Sequence, residues 1–75
     1  MLLNFGETLF VQRRKLGLTI KETAKRCGIS QMIMYKYEKS ISYPSVRTLY
    51  KLCSTLNLDY NEMYELLVKE RNSNK

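Results

Sequence analysis

Apolar residues recur every three or four positions along most of this chain, which is the spacing of amphipathic helices. The clearest stripe lies between positions 46 and 56 and consists of Val46, Leu49, Leu52, Cys53 and Leu56. Three segments also open with a capping box, in which a polar N-cap is followed three residues later by Glu. These boxes are Asn4 with Glu7, Thr19 with Glu22, and Asp59 with Glu62. Together with the N-cap residues Ser30 and Ser45, the patterns predict an all-α fold of five helices.

Residues 19–38 read as two short helices joined by a tight turn. Gly28 tolerates the left-handed backbone that ends a helix, and Ile29 supplies an apolar side chain to fill the turn. Ser30 then caps the second helix, whose predicted apolar face consists of Ile33, Met34 and Tyr37. This spacing is typical of a helix-turn-helix, which places its second helix in a DNA major groove, and equally of an ordinary αα-corner.

The outer helices have simpler boundaries. The first is predicted from about Asn4 to about Lys15, with Gly17 ending it, and Asn57 is expected to end the fourth. Pro44 disfavours helix at the preceding residue, so positions 39–44 are predicted to form a loop. We expect one domain over residues 1–70 and a frayed polar tail over residues 71–75.

The charge distribution changes this picture more than the overall composition does. The 75 residues carry a net charge of +6 and no histidine. Between Arg13 and Lys51 there are ten Lys or Arg against two acidic residues, whereas the flanking segments contain three basic and five acidic residues. A basic middle of this kind favours a polyanion bound on one side, although basic solvated faces are also common in ordinary proteins.

Several classes of function are disfavoured. The chain is too short for an elaborate catalytic groove, and it offers no phosphate-binding glycine loop, no nucleophile beside a base and no carboxylate cluster, so we expect neither enzymatic activity nor a cofactor. The two cysteines lie in helical stripes and are interpreted as small core residues in a reducing compartment rather than metal ligands. The N-terminus lacks the pattern of a signal peptide and no segment is long enough to span a membrane, so we expect a cytoplasmic protein.

The spacing over the whole chain resembles the Cro/phage-repressor-like helix-turn-helix family, also called the Xre family. The residues that carry the resemblance are Leu16, Gly17, Leu18, Thr19, Ala24, Gly28, Ile29, Ser30, Glu38, Pro44, Ser45, Leu49, Leu52, Leu56 and Leu58. It extends from about Phe5 to Leu67. The resemblance implies a compact five-helix, lambda-repressor-like bundle in which helices two and three form the helix-turn-helix and residues 30–39 form the recognition helix.

The resemblance also implies which residues meet DNA. The residues expected at base edges are Gln31, Met32, Tyr35 and Lys36. Those expected at phosphates are Arg14, Thr19, Lys21, Lys39, Ser42 and Tyr43. The chemistry agrees in part, because glutamine can pair with adenine, lysine can donate to guanine, and methionine can contact a thymine methyl. In relatives the positions of Arg13 and Glu38 can form an ion pair that orients the recognition helix; the alternative is two solvated charges.

Four positions depart from the family pattern. Ile20 replaces the glutamine that relatives use at the start of helix two, and Ser40 replaces a common glycine after the recognition helix. Thr23 and Gln12 stand where leucine is usual, which predicts a thinner core there, compensated by Phe10, Val11 or Ile20.

The leading hypothesis is a sequence-specific double-stranded DNA-binding transcriptional regulator, most simply a repressor that occludes a promoter. Because one such domain reads one half-site, we expect a homodimer on a palindromic operator, with Tyr60 and Tyr64 as a candidate interface. The alternative is a protein-interaction module, such as an antitoxin or a phage-derived adaptor, in which the apolar Met32 and Ile33 grip a partner protein.

Overall fold

Five α-helices make up the part of the chain that the computed structural model describes, residues 3–73. They are α1 (Phe5–Lys15), α2 (Ile20–Cys27), α3 (Gln31–Glu38), α4 (Val46–Leu56) and α5 (Tyr60–Ser73). The predicted all-α architecture of five helices is confirmed. No helix within the described residues is long and apolar enough to cross a membrane.

Two of the three predicted capping boxes form in full. At the third, the Glu62 N–H donates to the Asp59 carboxylate at 2.9 Å, and no reciprocal bond is seen between these two described residues. The Asn4 Oδ1 accepts a hydrogen bond from the Glu7 N–H at 2.8 Å, while the Asn4 N–H donates to the Glu7 carboxylate at 3.0 Å. Thr19 and Glu22 form the same reciprocal pair, with distances of 3.0 and 2.9 Å. Each box satisfies N–H groups that a helix start would otherwise leave unpaired, and thereby fixes the first residue of α1 and of α2.

The ends of α2 and α4 lie where the sequence predicted them, whereas the end of α5 differs. Gly28 and Asn57 adopt left-handed backbone conformations, with φ of 69° and 56°, and so end α2 and α4. The helix α5 continues to Ser73, so residues 71–73 of the expected frayed tail are helical, and the remaining two residues of that tail lie outside the described part of the chain.

One core joins all five helices. Its buried apolar residues are Phe5, Leu9, Ala24, Cys27, Met34, Tyr37, Leu49, Leu52, Cys53, Leu56, Met63 and Leu67. The helix α3 packs against α1 and α2, and α4 packs against α2 and α5. Both cysteines are buried as free thiols, consistent with their interpretation as packing residues.

Two residues that were assigned to apolar stripes lie at the surface. Val46 is 55% exposed and Ile33 is 41% exposed. Helices α1 and α2 cover α3 along the line of Met34 and Tyr37, which leaves the flank with Ile33 open. Val46 is the first residue of α4.

Gln12 and Thr23, the two polar residues at positions where leucine is usual, form hydrogen bonds to backbone carbonyls. The Gln12 side-chain amide donates to the Leu56 carbonyl at 2.9 Å, and the fully buried Thr23 hydroxyl donates to the Thr19 carbonyl at 3.0 Å. Phe10 and Val11, expected to fill the core there, are about two-fifths exposed instead. Backbone acceptors therefore compensate for the missing leucines, together with Ile20, which packs against the core.

Candidate nucleic-acid interface

The turn between α2 and α3 fixes the angle at which α3 meets the rest of the protein. Gly28 reverses the backbone, and the Ile29 N–H returns to the Ala24 carbonyl at 3.0 Å while its side chain packs against the core. The Ser30 hydroxyl oxygen then accepts from the Ile33 N–H at 3.1 Å and starts α3. The result is a helix, a three-residue turn and a second helix packed on the first, as predicted.

One edge of α3 is free of protein contacts that would bury it. The four side chains expected at base edges, Gln31, Met32, Tyr35 and Lys36, are all exposed. Met32 is the most open of the large apolar residues on this helix, with 62% of its surface accessible. The helix therefore divides into a buried face that holds it and an exposed edge that can contact a ligand.

The start of α2 and the exposed edge of α3 form a continuous surface. Ile20, Gln31, Met32 and Tyr35 line a shallow apolar concavity of about 380 Å³. A second depression, of about 590 Å³, adjoins it, because Ile20 and Gln31 line both. Its remaining lining consists of Arg13, Arg14, Gly17, Leu18, Thr19 and Lys21. The structure thus brings three expected base-contacting residues together with three expected phosphate-contacting residues.

This surface is positively charged. Arg14, Lys21, Lys36 and Lys39 are all exposed around it. The Lys39 ammonium also lies 5.6 Å from the centre of the Tyr35 ring, within the range of a cation–π contact. Arg14, Lys21 and Lys39 would therefore be available to anionic phosphates here, next to the exposed Lys36.

The acidic residues of this region are both committed to structural contacts. Hydrogen bonding from the Thr19 backbone N–H lowers the pKa of the Glu22 carboxyl, which therefore stays ionised as part of the capping box. Because that N–H is already used, a phosphate at the start of α2 would meet the Thr19 hydroxyl, the Lys21 side chain and the other N–H groups of the first turn.

The second acidic residue, Glu38, forms a buried ion pair with Arg13. Two guanidinium nitrogens of Arg13 donate to the Glu38 carboxylate, at 2.6 and 3.1 Å, and a third donates to the Leu18 carbonyl at 2.8 Å. The side chains of Arg13 and Glu38 are 7% and 4% exposed. The alternative of two solvated charges is therefore wrong. The pair ties α1, the first loop and the end of α3 to one another.

Gly6 is a positioning residue that the sequence did not reveal. A Cβ atom placed there would lie 2.7 Å from the Tyr37 carbonyl oxygen, 2.8 Å from the Glu38 carbonyl carbon and closer still to the Glu38 carbonyl oxygen. Only a residue without a side chain allows α1 to approach the end of α3 this closely. A glycine within a predicted helix was the available signal, since such a residue commonly marks a close approach.

The loop after α3 departs from the expected arrangement at Tyr43. Its hydroxyl donates to the Glu70 carboxylate at 3.0 Å, and its ring lies 5.7 Å from that of Phe5. Glu70 also accepts from the Phe5 N–H at 2.6 Å. Tyr43 lines a separate depression, which it shares with Asn4, Ser40, Glu70 and Ser73, so the structure does not place it with the residues around Gln31. Glu70 was missed because nothing local to its position signals a partner 65 residues away.

The backbone of this loop keeps the shape of a glycine turn although Ser40 occupies it. Ser40 has φ of 59°, in the left-handed region that favours glycine. Its hydroxyl oxygen is buried without a hydrogen-bond partner among the described residues. Ser42, the other loop residue expected at a phosphate, is half-buried.

Comparisons with known proteins agree with this geometry. Residues 11–63 match the model of the HTH_3 family, whose description is helix-turn-helix. A curated relative, the uncharacterized HTH-type transcriptional regulator y4dJ of Sinorhizobium fredii, is 37% identical over 51 residues. That match covers 68% of this chain and 66% of the relative, just under two thirds of the relative's length.

Two solved structures are similar in fold. The first is SinR, a master regulator for biofilm formation, in a crystal structure with DNA; its TM-score is 0.72 at 20% identity, covering 80% of this chain and 97% of that one. The second is an HTH_3 family transcriptional regulator from Vibrio cholerae, with a TM-score of 0.69 and 26% identity. It is matched over 81% of this chain but only 34% of its own length.

Proposed function

This chain belongs to the HTH_3 family of helix-turn-helix proteins, and on that premise we propose that it is a transcription regulator that binds double-stranded DNA and reads the major groove with α3. The curated relative bears the name of a transcriptional regulator, and the structure of SinR contains DNA. The observation that carries the proposal is the exposed edge of α3, flanked by the basic start of α2 and by Lys39.

In the proposed complex the exposed edge of α3 reads bases. Gln31 pairs with adenine through its side-chain amide, and Lys36 donates to guanine O6 and N7. Both side chains are solvent-exposed and lie on the same helix five residues apart. Gln31 lies one turn before Tyr35, and Lys36 lies one turn after Met32, so the four residues form one edge that would face a single groove. Met32 and Tyr35 supply the apolar part of the same edge.

Phosphate contacts position this helix without reading sequence. We assign them to Arg14, Thr19, Lys21, Lys39 and Ser42. Tyr43 is not assigned a phosphate contact, because its hydroxyl already donates to Glu70. This hydrogen bond anchors the loop after α3 to α5. The ion pair of Arg13 and Glu38 holds α3 at the angle that these contacts require.

We propose repression as the mode of regulation, since a protein bound to a promoter can block polymerase without further machinery. A homodimer on a palindromic operator would double the contact area. Its proposed interface is the aromatic surface of α5, where the rings of Tyr60 and Tyr64 stack at 6.0 Å and Tyr50 lies 6.3 Å from Tyr60. Tyr50 and Tyr64 are 66% and 41% exposed, so a large aromatic surface is available to a second copy.

The test begins with selection of bound duplexes from a random pool, followed by anisotropy titrations of the selected site at several salt concentrations. Lys36→Ala should lose the preference for the selected site, whereas Lys39→Ala should weaken selected and random duplexes alike and lower the salt dependence by about one ion per phosphate contact. The two variants remove the same charge from exposed positions of one region and are matched controls for each other. Failure of the wild-type protein to show salt-dependent duplex binding would contradict the proposal.

A protein-interaction module is the second candidate, because three large apolar residues on α3, Met32, Ile33 and Tyr35, are at least two-fifths exposed. An interface with a protein partner would bury such residues and would respond weakly to salt. The salt titration therefore separates the two functions in one experiment.

A further inference from the structure

The shallow concavity between α2 and α3 is more apolar than a base-reading surface built on hydrogen bonds needs to be. The side chains of Ile20 and Met32 and the ring of Tyr35 are apolar, so the Gln31 amide and the Tyr35 hydroxyl are the main polar groups among its four lining residues. The side chain of Ile20 has no hydrogen-bond donor or acceptor and forms an aliphatic wall at the start of α2. A major groove offers few groups that suit such a wall, and the C5-methyl of thymine is the apolar one.

We propose that this concavity is a thymine-methyl site, formed by Ile20, Met32 and Tyr35, and that it sets the sequence preference of the protein at one base of its half-site. This inference rests on the proposed DNA binding and adds the identity of a base and the residues that select it.

Each of the three side chains has the properties that the site requires. Ile20 packs against the core, so its exposed part is a fixed wall. Met32 is 62% exposed and unbranched, which lets it adjust to the position of a methyl group. The Tyr35 ring is 45% exposed and offers an aromatic surface, with the Lys39 ammonium 5.6 Å from its centre.

The charge around the concavity favours a duplex over a protein as its occupant. Lys21 and Arg14 line the adjoining depression, and Lys39 lies over Tyr35. The acidic residues near the concavity are engaged in contacts within the protein. Glu22 and Glu7 each accept a hydrogen bond in a capping box, and Glu38 is paired with Arg13; Glu7 and Glu38 line a further depression with Ile20, Tyr35 and Lys39. An apolar depression inside a cationic rim matches a major groove, where a methyl group lies between two rows of phosphates.

The experiment replaces thymine by deoxyuridine, one position at a time, in the duplex selected by this protein. This change removes the methyl group and keeps the base pair, so the ratio of the two dissociation constants measures the methyl alone. At the thymine that occupies the concavity the wild-type protein should bind about fourfold more weakly to deoxyuridine, the value expected for one buried methyl-sized group. At other thymines the ratio should stay near one.

Variants identify the residues responsible. Met32→Ala should bring that ratio close to one, and Met32→Leu should preserve it, because leucine restores the apolar surface. Ile41→Ala is the matched control, since Ile41 is 65% exposed, similar to Met32, and lies outside the concavity. Its ratio should equal that of the wild type.

Ratios near one at every thymine, in a protein that still selects its site and responds to salt, would overturn the inference and leave the proposed function intact. A ratio that survives Met32→Ala would assign the discrimination to other residues and would also overturn it. Absence of any salt-dependent duplex binding would overturn both proposals together.

Discussion

Replacing Gly6 by alanine tests whether the close approach of α1 to α3 holds the recognition helix in place. Gly6 lies in the first turn of α1, and its φ is not among the positive values, so alanine can adopt the same backbone conformation. The added methyl group, however, meets the carbonyl groups of Tyr37 and Glu38. These are backbone atoms at the end of α3, which cannot rotate away as a flexible side chain would.

The magnitude follows from the distances. An added Cβ would lie 2.7 Å from the Tyr37 carbonyl oxygen, and an ordinary contact of roughly 3.4 Å requires α1 and α3 to separate by roughly 0.7 Å or more. Overpacking of this kind costs about 1–3 kcal/mol, while alanine returns up to about 1 kcal/mol through its better helix propensity. We therefore expect a net loss of about 1 kcal/mol, which lowers the midpoint of thermal unfolding by roughly 4–8 °C in a domain of this size.

Urea and thermal unfolding followed by circular dichroism measure this loss, and anisotropy with the selected duplex reports whether α3 has shifted. Gly17→Ala is the control, because a Cβ at Gly17 meets nothing within 4 Å although its φ is +72°. That variant should lose about 1 kcal/mol through backbone strain alone. Comparing Gly6→Ala with Gly17→Ala therefore separates the effect of the steric contact on stability from the effect of the backbone conformation.

Whether Gly6→Ala lowers or raises the free energy of unfolding tests the claim that the close approach at Gly6 positions α3. In a helix with open space at this position, alanine would stabilise the protein by several tenths of a kcal/mol. An increase in stability, or unchanged stability with unchanged DNA binding, would refute the claim that this contact positions α3.

Three further outcomes are expected. Glu38→Gln leaves the buried Arg13 guanidinium without its carboxylate and should cost about 3 kcal/mol in urea unfolding, whereas joint replacement of both residues by apolar ones of similar size should recover most of that loss. Ser40→Gly should raise stability by about 1 kcal/mol, because it removes both the strain of a left-handed φ and a buried unpaired hydroxyl; a decrease would contradict this account. Burial raises the pKa of the Cys53 thiol to about 11, so a thiol reagent at pH 8.5 should label it only after unfolding, and rapid labelling of the native protein would contradict the burial. Since the unfolded thiol loses its proton near pH 9 while the folded one keeps it, this group should also lower stability as pH rises from 9 toward 11.

The local signals in the sequence were reliable because they act over three or four residues. Asn4 and Thr19 cap their helices through partners three positions away, and Gly28 ends α2 through its own backbone freedom. The spacing of these signals was enough to predict five helices and to place the exposed edge of α3. The base-contacting roles of that edge remain predictions, since they depend on a ligand.

Contacts between residues that are far apart in the chain could not be predicted from the sequence. The side of α3 on which Ile33 lies depended on which helices cover it, and the partner of Tyr43 came from α5. Of the three residues expected to compensate at Gln12 and Thr23, the structure uses Ile20 and leaves Phe10 and Val11 exposed, while both polar side chains donate to backbone carbonyls.

By itself the sequence determined the five helices, their boundaries apart from the end of α5, the basic middle of the chain and the family resemblance. Propensity, capping and charge are properties of neighbouring residues, which is why the sequence was enough. The tertiary structure alone decided that Gly6 lies against the end of α3 and that Arg13 and Glu38 are buried together. It also decided that Ile20 joins Met32 and Tyr35 in one concavity. Each of these facts requires two helices to meet at a particular distance and angle, and that geometry is set by the packing of the whole core.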